Sequence, residues 1–441
     1  MAVTTQLTWM QEKSLQNCLG GKQFTLLYKA SVHGFSSENL LEKCSNQGPT
    51  VTVIYGEDYV IGAYMQGSYY RDNKASVTFF AFQRTEISEF EIRIFNTRTD
   101  NNKIKERRFG SGEIYYGYHD LQINLNDRNV TMDRTTSKKF ALHKSHISFQ
   151  ECEVFRCEDS LDKRRIEDVT LLRKSLFSDM RTYNPCGGLV HQTRILLLGP
   201  SGAGKSSFIN SVKSVFRGHV TNQAVVDFGT KQVTERFRTY SIKDGETGNS
   251  LQFVLCDSMG LGEKKEGLCT DDIFYILKGH VPDRYQFNSI KPITSSHLNY
   301  IDSPWLKDRI HCVVFVLDVN SVENLSHEMV AKIKRAQRDV IKCGVVHMAL
   351  LTHVDDLHLI MKADLINPYG CMPVKLKLEE VHRKLGFPLS NILVVSNYTS
   401  EWELNLIKDV LILSTLRQIL WAADDFLEDV PAEETFGGSE A

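Results

Sequence analysis

Over residues 1–155 the apolar positions come in short bursts rather than long periodic stretches. The bursts at 24–29, 50–55, 59–65, 77–83, 89–95, 113–118 and 121–125 are rich in β-branched and aromatic residues, with Gly, Asn and Asp between them. Strand formers separated by turn formers predict a β-sandwich with some helical cover, the clearest helix lying at 37–44. A charge cluster at 103–108 reads as a solvated hairpin tip.

The period changes at 158–182, where Ile166, Val169, Leu172, Leu176 and Met180 recur at helical spacing. Asn184-Pro185 and Gly187-Gly188 then break the helix and mark a domain boundary. From 190 onward, apolar strands (194–198, 250–256, 311–319, 345–351, 391–395) alternate with helices (205–216, 326–343, 404–426). Ser326 is placed to cap the middle helix and Gly344 to end it. This alternation implies an α/β domain with a mostly parallel sheet covered on both faces. The expected organisation is a β-sandwich module at 1–157, a linker helix at 158–188, and an α/β domain at 189–428 with a long insert at 262–309. A flexible acidic tail follows at 429–441.

Composition narrows the class. With 42% hydrophobic and 24% charged residues in 441, the chain is neither disordered, collagen-like nor a coiled-coil rod. Its 52 basic and 54 acidic residues give a net charge of −2, which argues against wholesale nucleic-acid binding. The first ten residues lack a basic region followed by an apolar one, so no secretory signal is expected. No apolar run approaches the roughly 20 residues of a membrane helix. The ten cysteines form no CxxC pair and read as reduced thiols of a cytosolic protein.

The strongest chemical signal is the run Gly199, Pro200, Ser201, Gly202, Ala203, Gly204, Lys205, Ser206 and Ser207, which fits GxxxxGK[ST] between an apolar strand and a helix. Glycines let backbone N–H groups converge on phosphates, and the helix N-terminus adds positive dipole character. Lys205 would reach the β- and γ-phosphates, and the Ser206 hydroxyl would ligate Mg²⁺. A strand at 251–256 then runs into Asp257-Ser-Met-Gly260, where Asp257 would hold Mg²⁺ through water and the Gly260 N–H would sense the γ-phosphate.

The base is read further on. Thr352, His353 and Asp355 stand in a TxxD motif after a strand, where GTPases carry [NT]KxD. A buried carboxylate there accepts from guanine's ring N–H and amine, a donor pair that adenine lacks. Ser396 and Asn397 follow the next strand and would form the loop beside the base. Thr234 is the expected switch-loop ligand for Mg²⁺, with Thr230 its rival. In this order the elements resemble the GTPase branch of P-loop proteins over about 190–425. Where many small GTPases place a water-orienting glutamine, this chain has Leu261, so slow intrinsic hydrolysis is expected. Tyr285, Phe287, Tyr300 and Trp305 in the insert read as an ordered contact surface.

The motifs GPSGAGKSS at 199–207, LLTHVDD at 350–356, PDRYQFN at 282–288 and WAADDFLED at 421–429, with Ser31-Val-His-Gly34, resemble the interferon-induced protein 44 family over nearly the whole chain. His33-Gly-Phe-Ser36, Gly48-Pro49-Thr50, Tyr59-Val-Ile-Gly-Ala-Tyr64 and Phe109-Gly-Ser-Gly112 resemble a TLDc domain, which implies a β-sandwich interaction module. The family resemblance implies an interferon-responsive, cytoplasmic protein with antiviral or antiproliferative roles.

The expected function is a guanine-nucleotide switch, binding GTP or GDP with Mg²⁺, that controls a contact surface or self-association with a protein partner not named by the sequence. The alternative is a non-enzymatic scaffold whose nucleotide is structural. His347, His353, Asp355, Asp356 and His358 resemble a metal cluster, but strand alternation sends neighbours to opposite faces. The stripe Val410, Leu413, Leu416, Leu420 and Trp421 reads as a face docked on its own domain rather than on a membrane.

Overall fold

The computed structural model describes residues 4–66, 77–83, 91–96, 108–110, 113–116, 120–159, 163–224, 236–263, 266–357, 360 and 362–430. Outside them lie most of the charge cluster (103–107), both switch threonines, Thr230 and Thr234, His358, and the acidic tail from 431. Two compact units divide the chain, Met1–Asp162 and Lys163–Ala441. Among the described residues no helix is long and apolar enough to cross a membrane. All ten cysteines are free thiols.

In chain order the first unit contains α1 (Trp9–Cys18), β1 (Lys22–Lys29), α2 (Ala30–His33), α3 (Ser37–Cys44), β2 (Thr50–Tyr55), β3 (Val60–Met65), β4 (Val77–Gln83) and β5 (Glu91–Asn96). There follow β6 (Arg108–Gly110), β7 (Glu113–Tyr116), β8 (Leu121–Asn124), β9 (Asn129–Met132), α4 (Arg134–Lys139), β10 (His146–Ser148) and β11 (Glu151–Asp159). They build two antiparallel sheets, ordered β1-β11-β2-β3-β4-β5 and β10-β9-β8-β7-β6. Strand alternation explains the packing. Ile54, Ile61, Phe79 and Ala81 join Ile114, Ile123 and Val130 of the second sheet in one cluster. Their neighbours Val51, Val53, Tyr64 and Phe80 turn the other way, against Leu7 and Leu15. Both faces of the larger sheet are therefore apolar.

Strand β11 was not expected, although it lies between β1 and β2. Two glutamates interrupt its apolar run, and the fold satisfies both. Glu153 is fully buried and accepts from the Thr5 hydroxyl at 2.7 Å, the Gln6 N–H at 2.9 Å and the Tyr55 hydroxyl at 2.7 Å, beside the Lys29 ammonium at 3.2 Å. Glu151 accepts from the Ser31 and Cys152 N–H groups.

The second unit contains α5 (Lys163–Arg181), β12 (Thr193–Leu198), α6 (Lys205–Arg217), β13 (Arg238–Lys243), β14 (Ser250–Asp257), α7 (Thr270–Lys278) and β15 (Cys312–Asp318). It ends with α8 (His327–Lys342), β16 (Val346–Thr352), α9 (Met372–Leu385), β17 (Ile392–Val394) and α10 (Leu406–Glu428). The sheet runs β13-β14-β12-β15-β16-β17, parallel except for the antiparallel edge strand β13. The Ser326 hydroxyl caps α8 by accepting the Met329 N–H at 3.1 Å.

Helix α5, expected as a linker, instead forms a wall of this unit. Val169, Leu176 and Met180 enter the core with Val410, Leu413, Leu416 and Leu420 of α10. The Arg173 guanidinium meets the Asp409 carboxylate at 2.6 Å. Ile166 and Leu172 stay exposed, so the buried stripe is narrower than the spacing implied. Trp421 also leaves the expected stripe and is half exposed beneath the Arg417 guanidinium. The insert's aromatics turn inward rather than forming a contact surface. Tyr285 packs edge-on against Phe287, Tyr300 stacks on His280 at 4.9 Å, and only Trp305 of the four is exposed.

Asp272 on α7 ties the insert down. Its Oδ1 accepts the Ile293 N–H at 2.7 Å, while Oδ2 is buried with no partner. Burial pushes its carboxyl up to about 6, against the pull of that N–H. Since the folded value exceeds the unfolded one, stability from this group is full below about pH 4 and falls as pH rises through 6. Asp272→Asn should therefore raise the urea midpoint relative to wild type at neutral pH. The gain should vanish near pH 4.

Candidate functional site

Ile195, Leu196, Leu197 and Leu198 of β12 are all fully buried, so the central strand is fixed on both faces before the chain turns. The chain leaves β12 for β14 on one side and returns through β15 on the other. This is a topological switch point, where the carboxyl ends of parallel strands leave a crevice. Asp257, Asp318 and Thr352 end β14, β15 and β16 at that same edge, with Ser396 and Asn397 just beyond β17.

Loop 199–207 occupies the crevice. Gly199 has φ 149°, and a Cβ there would lie 2.1 Å from the Val316 carbonyl oxygen. Gly204 is left-handed at φ 90°, and its Cβ would crowd Asn397 Nδ2 and Thr352 Cγ2 at 3.2 Å. Helix α6 starts at once from Gly204 with no side-chain cap, leaving its first N–H groups for an anion. Lys205 is buried, and its ammonium folds back onto the Gly199 and Pro200 carbonyls at 3.1 and 2.8 Å. A cleft of ≈ 220 Å³ borders the loop, with Pro200, Ser201, Gly202 and Ala203 facing Leu317 and Asp318.

Beneath the loop, the Ser206 hydroxyl donates to Asp257 Oδ2 at 2.7 Å. Asp257 is 1% exposed and its Oδ1 has no partner. Burial pushes its carboxyl upward, while the Lys205 charge and the Ser206 hydroxyl pull it back. A hydroxyl and a carboxylate with an unused buried oxygen make a hard donor set that fits Mg²⁺. The rest of the metal shell would include one switch threonine, Thr234 or Thr230, and both lie outside the described residues.

The segment after Asp257 does what its sequence did not signal. The Leu261 N–H donates to the Gly199 carbonyl at 2.9 Å, and its carbonyl accepts from the Ser201 N–H at 3.3 Å. Gly260 is pressed against Ser201, and the Leu261 side chain is buried. Leu261 is thus a backbone strap across the loop.

Behind the loop, the Thr352 hydroxyl donates to the Ala203 carbonyl at 2.9 Å, which joins β16 to the phosphate loop. His353 takes a left-handed turn at φ 58°. A hydrogen bond with Asp318 raises its pKa, although burial opposes this, and the two atoms lie 3.4 Å apart. Asp355 Oδ2 accepts from the Lys408 ammonium at 3.0 Å. Lys408, on α10, also reaches Glu401 and the Asn397 carbonyl. No motif in the sequence pointed to Lys408. Ser396 Oγ and Asn397 Oδ1 are buried without partners, and Asn397 Nδ2 donates to the Gly204 carbonyl at 3.3 Å. Hydrogen bonds thus join the loop to Asp257, Thr352 and Asn397, and Lys408 links Asp355 to the Asn397 carbonyl.

A TLDc domain model matches residues 3–158. The chain is 57% identical to human interferon-induced protein 44 over 98% of this chain and 96% of that one. It is 51% identical to the mouse protein of that name, over 98% and 99%. It is 47% identical to human interferon-induced protein 44-like, over 99% and 98%. Among solved structures it is similar to a probable GTP-binding protein engB at 14% identity and TM-score 0.30, over 53% of this chain and 99% of that one. A likeness that low carries no weight for fold or ligand.

The lone oxygen of Asp257 carries a consequence for stability. Burial outweighs the compensation that Lys205 and Ser206 give Asp257, so Asp257→Asn should raise the melting midpoint without added ligand by about 2–4 °C. Ser206→Ala strips the hydroxyl from Oδ2 and should lower it.

Proposed function

The chain belongs to the interferon-induced protein 44 family, and we propose that it binds GTP or GDP with Mg²⁺ on loop 199–207 and acts as a nucleotide-controlled interaction switch. The observation that carries this reading is where unmet hydrogen-bonding capacity collects. Of the nine buried side-chain atoms without partners among the described residues, three, Asp257 Oδ1, Ser396 Oγ and Asn397 Oδ1, lie beside the one glycine-rich loop. Their grouping there, together with the loop's uncapped helix start, supports a ligand at that place.

In this reading the N–H groups of the loop and of the first turn of α6 hold the phosphates, and Lys205 swings from the Gly199 and Pro200 carbonyls onto them. Ser206 and Asp257 hold the metal, which when bound supplies charge to the phosphate oxygens. Thr352 and His353 border the base, and Asp355 accepts from guanine's ring N–H and amine. Lys408 holds the Asp355 carboxylate in place from α10. Leu261 offers no polar atom to orient water, so hydrolysis is slow and a partner or second copy supplies what speeds it. The first unit serves as the partner-binding module, a β-sandwich of the TLDc kind. The protein acts in the cytoplasm as an antiviral or antiproliferative effector of the interferon response, a reading that rests on the family resemblance.

A scaffold with a structural nucleotide is favoured by Leu261, whose side chain has no polar atom to orient water, and by His353 standing where GTPases carry a lysine. Titration calorimetry on the full chain separates the two readings. GTP and GDP should bind better than ATP and ADP, and Lys205→Ala should weaken both guanine nucleotides by at least about tenfold. Asp355→Ala should erase the preference for guanine. Turnover that stays undetectable at high protein concentration, with binding intact, selects the scaffold.

A further inference from the structure

About two turns along α6 from Lys205, on the β13 side, a second cavity of ≈ 320 Å³ is lined by Lys213, Arg217, Arg238, Lys243 and Arg284, with the Tyr240 ring in its wall. Five cations surround it in a chain whose net charge is −2. Its one lining carboxylate, Asp283, is already engaged. Oδ1 accepts the Thr239 N–H at 2.7 Å, and Oδ2 lies 3.7 Å from Arg284 Nε.

The electrostatics of the cluster are unusual for this protein. Lys213 is 5% exposed, yet among the described residues its ammonium meets only the Gln223 amide oxygen at 2.8 Å and the face of Tyr240 at 4.6 Å. Arg217 donates to the same amide oxygen at 3.0 Å. Two cations thus share one neutral acceptor, and among the described residues neither forms an ion pair with a carboxylate. Burial, and then repulsion from Arg217, pull the Lys213 pKa down to about 8. Three other sheltered cations of the fold do meet carboxylates. Lys29 meets Glu153, Arg173 meets Asp409, and Lys408 meets Asp355 and Glu401. Holding the buried Lys213 ammonium beside the half-buried Arg217 is costly unless an anion is seated near them.

We propose that this cavity binds a multiply phosphorylated small ligand, free or as a lipid headgroup. Guanidinium forks match phosphate oxygens in pairs, and Lys213 adds a point charge from the floor. The volume suits a compact headgroup and not a nucleic-acid duplex. The site is independent of the nucleotide loop, because none of its lining residues belongs to 199–207.

The test uses the full chain, with inositol trisphosphate as the soluble probe and phosphatidylcholine vesicles with or without phosphatidylinositol bisphosphate as the lipid probe. Arg238 and Arg284 are exposed, so Arg238→Gln/Arg284→Gln should keep the wild-type melting midpoint while weakening trisphosphate binding by about tenfold or more. The matching Arg→Lys pair, which keeps the charge but not the fork, should fall between wild type and the Gln pair, and Lys205→Ala should leave the affinity unchanged. Vesicle binding that requires the bisphosphate identifies a headgroup, and binding of the soluble probe alone identifies a free ligand. Trisphosphate binding that survives the double Gln variant, or that disappears in Lys205→Ala, overturns the proposal. So does a short RNA duplex that outcompetes the trisphosphate through the same arginines.

Discussion

The second unit depends on how closely its central strand approaches its neighbour at the turn into α6. Gly199 lies so near the Val316 carbonyl that any side chain would collide with it. That proximity sends the chain sharply over the edge of the sheet and aims the first N–H groups of α6 into the crevice. It also seats the loop directly on the ends of three strands. Asp257 from β14 lies beneath Ser206, Thr352 from β16 holds the Ala203 carbonyl, and Asn397 beyond β17 holds the Gly204 carbonyl. The loop is thus braced at three points by residues far apart in the chain.

This bracing leaves some polar atoms unmet by design of the backbone. Asp257 cannot satisfy both oxygens from Ser206, and the Ser396 hydroxyl and the Asn397 amide oxygen are buried with no partner among the described residues. Lys205 and Leu261 satisfy the loop's own backbone instead, Lys205 through its ammonium on the Gly199 and Pro200 carbonyls and Leu261 through its backbone on Gly199 and Ser201. Such unmet buried atoms carry a cost in stability.

Much of this was legible locally. The apolar strand, the glycine spacing and the helix that begins at Lys205 are contiguous, so periodicity and turn chemistry reveal them together. The N-cap at Ser326 is readable for the same reason. What escaped depends on tertiary partners. Lys408 lies 53 residues from Asp355 and carries no motif of its own. Strand β11 hid behind Glu151 and Glu153, whose burial makes sense only once Thr5, Lys29 and Tyr55 are brought to them. Helix α9 buries Val374, Leu378, Val381 and Leu385 at regular spacing, but Pro373 at its first turn reads as a break. Leu261 was read for the side chain it lacks, whereas its backbone does the work.

The central claim is that loop 199–207, the turn at 352–355 and the pair Ser396 and Asn397 converge on one bound nucleotide. Hydrogen exchange of the full chain with and without Mg²⁺-GDP tests it directly. The account requires added protection in all three segments together, with the amides at the start of α6 slowed most. Protection confined to other segments, or none at saturating GDP, would contradict it.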